Sequence, residues 1–229
     1  MKKTILPFLL LPCAVVLLAS CASISVQPGS EYATKQMPEK IYIEAFDTSK
    51  GDFKVDREGA ELTAFKQNLQ QMMITGAVTD LTKRLILAEA FTQKYPPHLQ
   101  KAWLVRGVFT KVYQGSRLLR GTIGLGAGGT KMETTVYVYD LSSRSTKPFL
   151  KFSTTGGSNA EPGAITGLAT DPVVMAIGTV SSGSSGIAHG LTEDTARTAR
   201  EITAELSDYM YRSGWISKDK WIEPKTVQP

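Results

Sequence analysis

Cysteine and histidine are scarce in this chain of 229 residues, which contains two of each. Two Cys cannot build a disulfide-dense scaffold, and two His leave little room for a His-rich metal site. Charged residues make up 21% of the chain and hydrophobic residues 42%, which are the proportions of a globular protein rather than a disordered one. The length therefore indicates one domain, or at most two small ones.

The first residues have the pattern of a secretory signal. Lys2 and Lys3 precede an apolar run over residues 5–19, which is shorter than the roughly 20 residues of a membrane-spanning helix. The run ends in a short motif, Leu18, Ala19, Ser20 and Cys21.

This motif resembles the lipobox of bacterial lipoproteins, in which an aliphatic residue and two small residues precede a Cys. The resemblance implies cleavage before Cys21, transfer of diacylglycerol to its thiol, and acylation of its new amino group. Three lipid chains would exceed what stable membrane anchoring needs. An ordinary secretory signal with an incidental Cys is the alternative; run length, position and motif together favour the lipoprotein. We therefore predict that residues 1–20 are a signal peptide and that Cys21 carries covalent diacylglycerol and an N-acyl chain. We predict no cofactor.

Two consequences follow for the mature protein. Cys13 leaves with the signal and Cys21 carries lipid, so no free thiol remains for disulfide or thiol chemistry. Loss of Lys2 and Lys3 lowers the formal net charge from +5 to +3. Cys21 is followed by Ala22 rather than Asp, which in Gram-negative lipoproteins resembles outer-membrane sorting with the domain facing the periplasm.

The mature chain divides into a tether, a domain and a tail. Residues 21–39 are polar and interrupted by Pro28, Gly29 and Pro38, so they are typical of a flexible tether that could reach on the order of 50 Å. Residues 40–214 form the domain, and residues 215–229 form a polar tail.

Hydrophobic periodicity predicts the elements of the domain. Alternation predicts a strand over residues 40–46, with Phe46 on the face opposite Ile41 and Ile43. The remaining predictions are a helix over 58–91, strands over 102–113, 132–141 and 149–155, and a closing helix over 192–212 capped by Thr192. This order fits an α+β two-layer sandwich: a mostly antiparallel sheet of about four strands, with two main helices on one face.

Residues 121–129 contain five glycines and formally match nucleotide-binding loops. Such loops need a helix to follow, because the helix N-terminus binds the phosphate. Residues 132–139 are instead β-branched and aromatic, so we expect a connection between two strands.

A family resemblance rests on residues 103–140. A strand with Trp103 is followed by the segment 115–120 (GSRLLR), the glycine-rich segment 124–129 (GLGAGG) and the strand 136–140 (VYVYD). This order resembles the bacterial lipoproteins grouped as domain of unknown function 4410, over roughly residues 41–212. The family's architecture is similar to the periplasmic domain of the curli secretion lipoprotein, but the resemblance implies no activity.

The segment 156–190 is a glycine-rich insert with only two charges, Glu161 and Asp171. Small residues recur in it every four positions, namely Gly178, Ser182, Gly186 and Gly190. On one helix they would form a smooth stripe suited to close packing with a partner or a second copy. An ordinary loop or short buried helix, and contact with the membrane, are the other interpretations.

We find no catalytic constellation in the sequence, so we predict no catalytic residues, no metal and no enzymatic activity. His98 and His189 fall in loop or glycine-rich regions, and the acids are dispersed. Lys111, Lys131 and two arginines, Arg117 and Arg120, are a candidate basic patch or a solvated rim, and export argues against nucleic acid. The sequence thus predicts a lipid-anchored envelope protein that binds a partner or forms a homo-oligomer. The alternative is an oligomeric secretion- or pore-associated lipoprotein that assembles through residues 156–190.

Overall fold

The computed structural model describes residues 23–26, 34, 36–92, 101–115, 129–157, 171–182, 187 and 189–225. The fold class is mixed α+β, as predicted. The strands are β1 (Ser23–Val26), β2 (Lys40–Ile43), β3 (Asp52–Lys54), β4 (Ala88–Ala90), β5 (Ala102–Tyr113), β6 (Lys131–Asp140) and β7 (Leu150–Gly157). The helices are α1 (Gly59–Arg84), α2 (Pro172–Ser182) and α3 (His189–Arg212).

The strands form one sheet in the order β1-β7-β6-β5-β2-β4, and β3 also pairs with β5. Long antiparallel ladders join β5 to β6 and β6 to β7, whereas β2, β3 and β4 add short parallel pairs. The described sheet therefore has seven strands, more than the four we predicted. The long strands β5, β6 and β7 were predicted to within two residues at each end.

Two short strands lie along the same edge of β5. Residue 40 pairs with Ala102 and Lys54 pairs with Tyr113, with an isolated bridge from Asp47 to Val108 between them. The chain over residues 40–54 is thus an interrupted strand beside the whole of β5. The alternation of buried and half-buried side chains in this segment stops after Ile43, where β2 ends.

The prediction for Phe46 is wrong. Its side chain is fully buried in the same core as Ile41 and Ile43, while Ala45 is exposed. The reason lies on the neighbouring strand: a Cβ built on Gly107 would come within 2.2 Å of the Phe46 ring. Glycine at 107 leaves room for an aromatic ring that the local pattern placed on the other face.

The first helix ends earlier than predicted. α1 stops at Arg84, and Leu85 to Phe91 turn back so that β4 pairs with β2. Thr82 holds this turn, since its Oγ1 accepts a hydrogen bond from the backbone N of Ala88 at 3.1 Å. The apolar residues at the end of the predicted helix therefore belong to a turn and an edge strand.

The three described helices meet at Gly76 of α1. A Cβ at this position would lie 2.8 Å from Cδ1 of Ile177 in α2 and 3.3 Å from Cβ of Ala199 in α3. Only a residue without a side chain allows the helices this close. α3 packs on β6 and β7, and α1 packs on β2 and β4, whereas α2 packs against the other helices.

The glycine-rich insert contains a third helix, where we predicted two main helices in all. Asp171 caps α2, because its Oδ1 accepts a hydrogen bond from the N of Val173 at 2.8 Å. α3 begins at His189 rather than at Thr192, so Thr192 lies inside the helix and the prediction that it is the cap is wrong.

Chain segments outside the predicted domain also pack on it. Ser23–Val26, part of the predicted tether, pairs antiparallel with β7. Trp215 joins an aromatic cluster at the opposite end of the sheet, with Trp103, Phe149 and Tyr209. Residues 221–225 of the predicted tail lie along α3, where the N of Ile222 donates to Ser207 Oγ at 2.9 Å.

Candidate interaction surface

The start of β6, the end of β7 and the first turns of α3 are tied together by one buried carboxylate. Asp194 is fully buried, and its Oδ2 accepts a 2.6 Å hydrogen bond from Thr130 Oγ1. Arg197 lies 3.6 Å from Asp194 Oδ1 and donates to the carbonyl of Gly157 at 3.3 Å. Burial raises the pKa of Asp194 to about 6, although the Thr130 hydrogen bond and Arg197 oppose the rise. The latch (Thr130, Gly157, Asp194 and Arg197) thus holds the point where the chain enters β6 after the first glycine-rich segment and leaves β7 before the second.

Lysines gather at the same end of the sheet. Lys111 and Lys131 both contact Glu133, with N–O distances of 3.2 and 2.7 Å. Burial alone would raise the pKa of Glu133, but hydrogen bonds from these two lysines outweigh it and hold the pKa below its usual range. Lys54 lies 4.6 Å from the ring centroid of Tyr113. We call these residues (Lys54, Lys111, Tyr113 and Lys131) the lysine end of the sheet.

The sheet face opposite the helices is half exposed and carries alternating tyrosines and cations. Arg106 lies 5.4 Å from the Tyr139 ring and pairs with Glu44 at 2.5 Å, and Lys151 lies 5.5 Å from the Tyr137 ring. Aromatic residues and arginine are enriched where proteins bind one another, so this face is chemically suited to a polar partner.

A row of buried acids on α3 was missed by sequence reasoning. Glu201 and Glu205 are 6% and 1% exposed, and Glu205 Oε1 has no hydrogen-bond partner among the described residues. Burial, with a smaller contribution from nearby Asp208, raises the pKa of Glu205 to about 7, and burial also raises the pKa of Glu201. Residues 221–225 cover this side of the helix, and Trp221 Nε1 donates to Asp208 at 3.0 Å. The available signal was composition: α3 has Thr, Ser and Ala around its whole circumference, as a helix buried on all sides requires.

The predicted small-residue stripe does not lie on one helix. Gly178 and Ser182 belong to α2, Ile187 lies between the helices, and Gly190 is in the first turn of α3. Gly178 has open space around its Cβ position, so it is not at a close helix contact within the described residues. Gly186 lies outside the described residues.

Several other predicted site residues also lie outside the described residues. They include the lipidation site and its motif, one histidine and two arginines of the candidate basic patch, namely Leu18, Ala19, Ser20, Cys21, His98, Arg117 and Arg120. Of the basic patch, the structure brings Lys111 and Lys131 together. The segment after Gly129 is the strand β6, as predicted.

Within the part of the chain that the structure describes, no three His, Cys, Asp or Glu side chains are grouped so that they could hold a metal ion. None of the helices described is both long and apolar enough to cross a membrane.

Two solved structures resemble the chain over 77% of its length: PelC dodecamers from Paraburkholderia phytofirmans, one of them a point variant. Their sequence identities to this chain are 8% and 9%, the matches cover 95% and 96% of their own chains, and both TM-scores are 0.35. None of the curated proteins matches the chain. The family described as Domain of unknown function (DUF4410) matches residues 41–179, from β2 into α2. Since this match spans more than half of the sequence, the chain belongs to the DUF4410 family.

Proposed function

We propose that this protein is a lipid-anchored component of the bacterial envelope that works by binding rather than by catalysis. It is held by lipid on Cys21 at the outer membrane and faces the periplasm. The motif Leu18 to Cys21 at the end of a short apolar run carries the proposal. The position of β1 supports it, because cleavage before Cys21 would leave every described strand and helix in the mature chain.

Incorporation of radiolabelled palmitate tests the anchor. We expect Cys21→Ala to abolish incorporation and to release the protein from the membrane fraction. Cys13→Ala is the matched control, because Cys13 leaves with the signal peptide, and it should be lipidated like the natural protein. Equal labelling of the natural protein and of Cys21→Ala would contradict the proposal.

A homo-oligomer is the partner that a specific observation favours. α2 contains no charged residue, and Met175 on it is 58% exposed. A second copy could pack on this helix without burying a charge, and the contact would remove the exposed apolar surface of Met175 from water. The runner-up function, assembly into a secretion- or pore-associated oligomer through residues 156–190, would use the same surface.

Light scattering of the detergent-solubilised protein tests this surface. We expect Met175→Lys to reduce the oligomer to a smaller species, because a buried lysine at the contact would be desolvated. Leu87→Lys is the control, since Leu87 is a comparably exposed apolar residue at 48% on the turn before β4. A monomeric natural protein, or an unchanged mass in Met175→Lys, would rule out the α2 contact.

A further inference from the structure

The position of β1 determines which end of the domain faces the bilayer, provided that Cys21 is lipidated as proposed above. β1 runs antiparallel to β7, with Ser23 opposite Thr155 and Val26 opposite Phe152. The chain therefore enters the sheet near the end of β7, where Lys131 pairs with Gly157. This is the lysine end of the sheet.

The connection from lipid to sheet is very short. Only Ala22 separates Cys21 from Ser23. Successive Cα atoms are about 3.8 Å apart, so the Cα atoms of Cys21 and Ser23 are at most about 7.6 Å apart. The tether predicted from residues 21–39 would allow the domain to sit in any orientation, but pairing of Ser23–Val26 with β7 removes that freedom.

Charge alone does not distinguish the two ends of the sheet. The turn between β6 and β7, at the far end, carries Arg144 and Lys147, so both ends have cations. What differs is the distance from the anchor: the ten residues of β6 separate the two ends by about 30 Å. The anchored end therefore meets the headgroups, and the far end lies beyond their electrostatic range.

We propose that the lysine end of the sheet rests on the membrane, with Lys54, Lys111 and Lys131 facing anionic lipid headgroups and the aromatic cluster around Trp103 facing away. Lys54 is exposed, and the side chains of Lys111 and Lys131, which both pair with Glu133, are 31% and 42% exposed, so all three reach the solvent surface at this end. Tyr113, half exposed between Lys54 and Lys111, has the amphipathic ring that suits a headgroup layer. The glycine-rich segments also leave the sheet at this end, after Gly115 and Gly157.

Energy transfer to headgroup-labelled lipid tests the orientation. The full lipidated chain is reconstituted in vesicles of phosphatidylethanolamine and phosphatidylglycerol that contain a headgroup acceptor dye. A donor dye is placed on Lys54→Cys or, as the matched control at the far end, on Arg144→Cys. Because the mature chain has no other free thiol, labelling is confined to the introduced Cys. We expect transfer from position 54 to exceed that from position 144 at least about twofold, given the length of β6.

A second variant tests the short connection itself. Inserting a flexible Gly/Ser linker of ten residues between Ala22 and Ser23 should bring the two transfer efficiencies close together, while lipidation and vesicle binding persist. Equal transfer from both positions in the natural spacing, stronger transfer from position 144, or no effect of the linker would overturn the inference. Absence of acyl groups on the purified chain, with no vesicle binding, would instead overturn the proposed lipid anchor.

Discussion

Glu205→Gln should make the protein less sensitive to pH. Glu205 is 1% exposed, its Oε1 has no hydrogen-bond partner among the described residues, and burial raises its pKa to about 7 from the usual 4.5. A folded-state pKa that lies one pH unit above the unfolded-state pKa corresponds to about 1.4 kcal/mol, so ionisation of this one carboxyl costs the folded protein roughly 3 kcal/mol.

The sign follows from the direction in which the pKa moves. The folded pKa lies above the unfolded one, so the stability associated with the protonated carboxyl is fully present below pH 4.5 and is lost as the pH rises through about 7. Gln cannot ionise, so the variant should lose roughly 3 kcal/mol less than the natural protein between pH 4.5 and pH 8. For a domain of this size that is about 6–12 °C in Tm.

Thermal or urea unfolding of both proteins at pH 4.5, 6 and 8 measures the effect. The comparison uses the slope of unfolding free energy against pH, so any packing cost of the amide that does not depend on pH cancels. The contribution of Asp194 also cancels, because Asp194 titrates in both proteins. Glu223→Gln, which removes an exposed carboxylate of the tail, is the control that shows whether the effect belongs to the buried position. If Glu205→Gln has the same pH slope as the natural protein, the carboxyl is not desolvated in the way the structure indicates.

Three further predictions concern the packing and the latch. Gly76→Leu should destabilise the domain by about 1–3 kcal/mol in urea unfolding, because the added side chain overfills the space where the three described helices cross. Gly178→Ala is the control: open space surrounds the place where its Cβ would lie, so it should be neutral or stabilising by up to about 1 kcal/mol. Equal losses in the two variants would show that the helices do not pack closely at Gly76. Gly107→Ala should lower the free energy of unfolding by about 1–3 kcal/mol, because the added methyl clashes with the Phe46 ring. In the double variant, Phe46→Leu should relieve part of that loss. Additive losses of stability would show that the two residues do not touch. Thr130→Val should lower the free energy of unfolding by about 1–3 kcal/mol, because it removes the hydrogen bond to Asp194. The loss should be larger at pH 8 than at pH 5, since this hydrogen bond keeps the pKa of Asp194 from rising further. A loss of stability independent of pH would contradict the latch.

The long strands were predictable because their signal is local. In β6, Met132, Val136 and Val138 alternate with tyrosines and point to the helices, which is the pattern of a sheet with one covered face. A different local pattern, apolar residues spaced three and four apart, predicted most of α1 and α3.

What could not be predicted depends on residues far apart in the chain. Phe46 is buried because Gly107 leaves space on a strand some sixty residues later, and β4 exists because β2 offers it an edge. β1 consists of two serines, an isoleucine and a valine, and gains its place only through pairing with β7. The acids of α3 are buried in part because residues 221–225 cover them, and the small-residue composition of the helix indicates burial without showing which segment covers the acids.

Intact mass spectrometry of the protein purified from membranes measures the chemical state of its N-terminus, on which both the proposed function and the orientation depend. We expect a chain that begins at Cys21 and carries diacylglycerol on the thiol and an acyl group on the amine. A chain that retains Met1, or one that begins at residue 21 with a free thiol, would contradict the account.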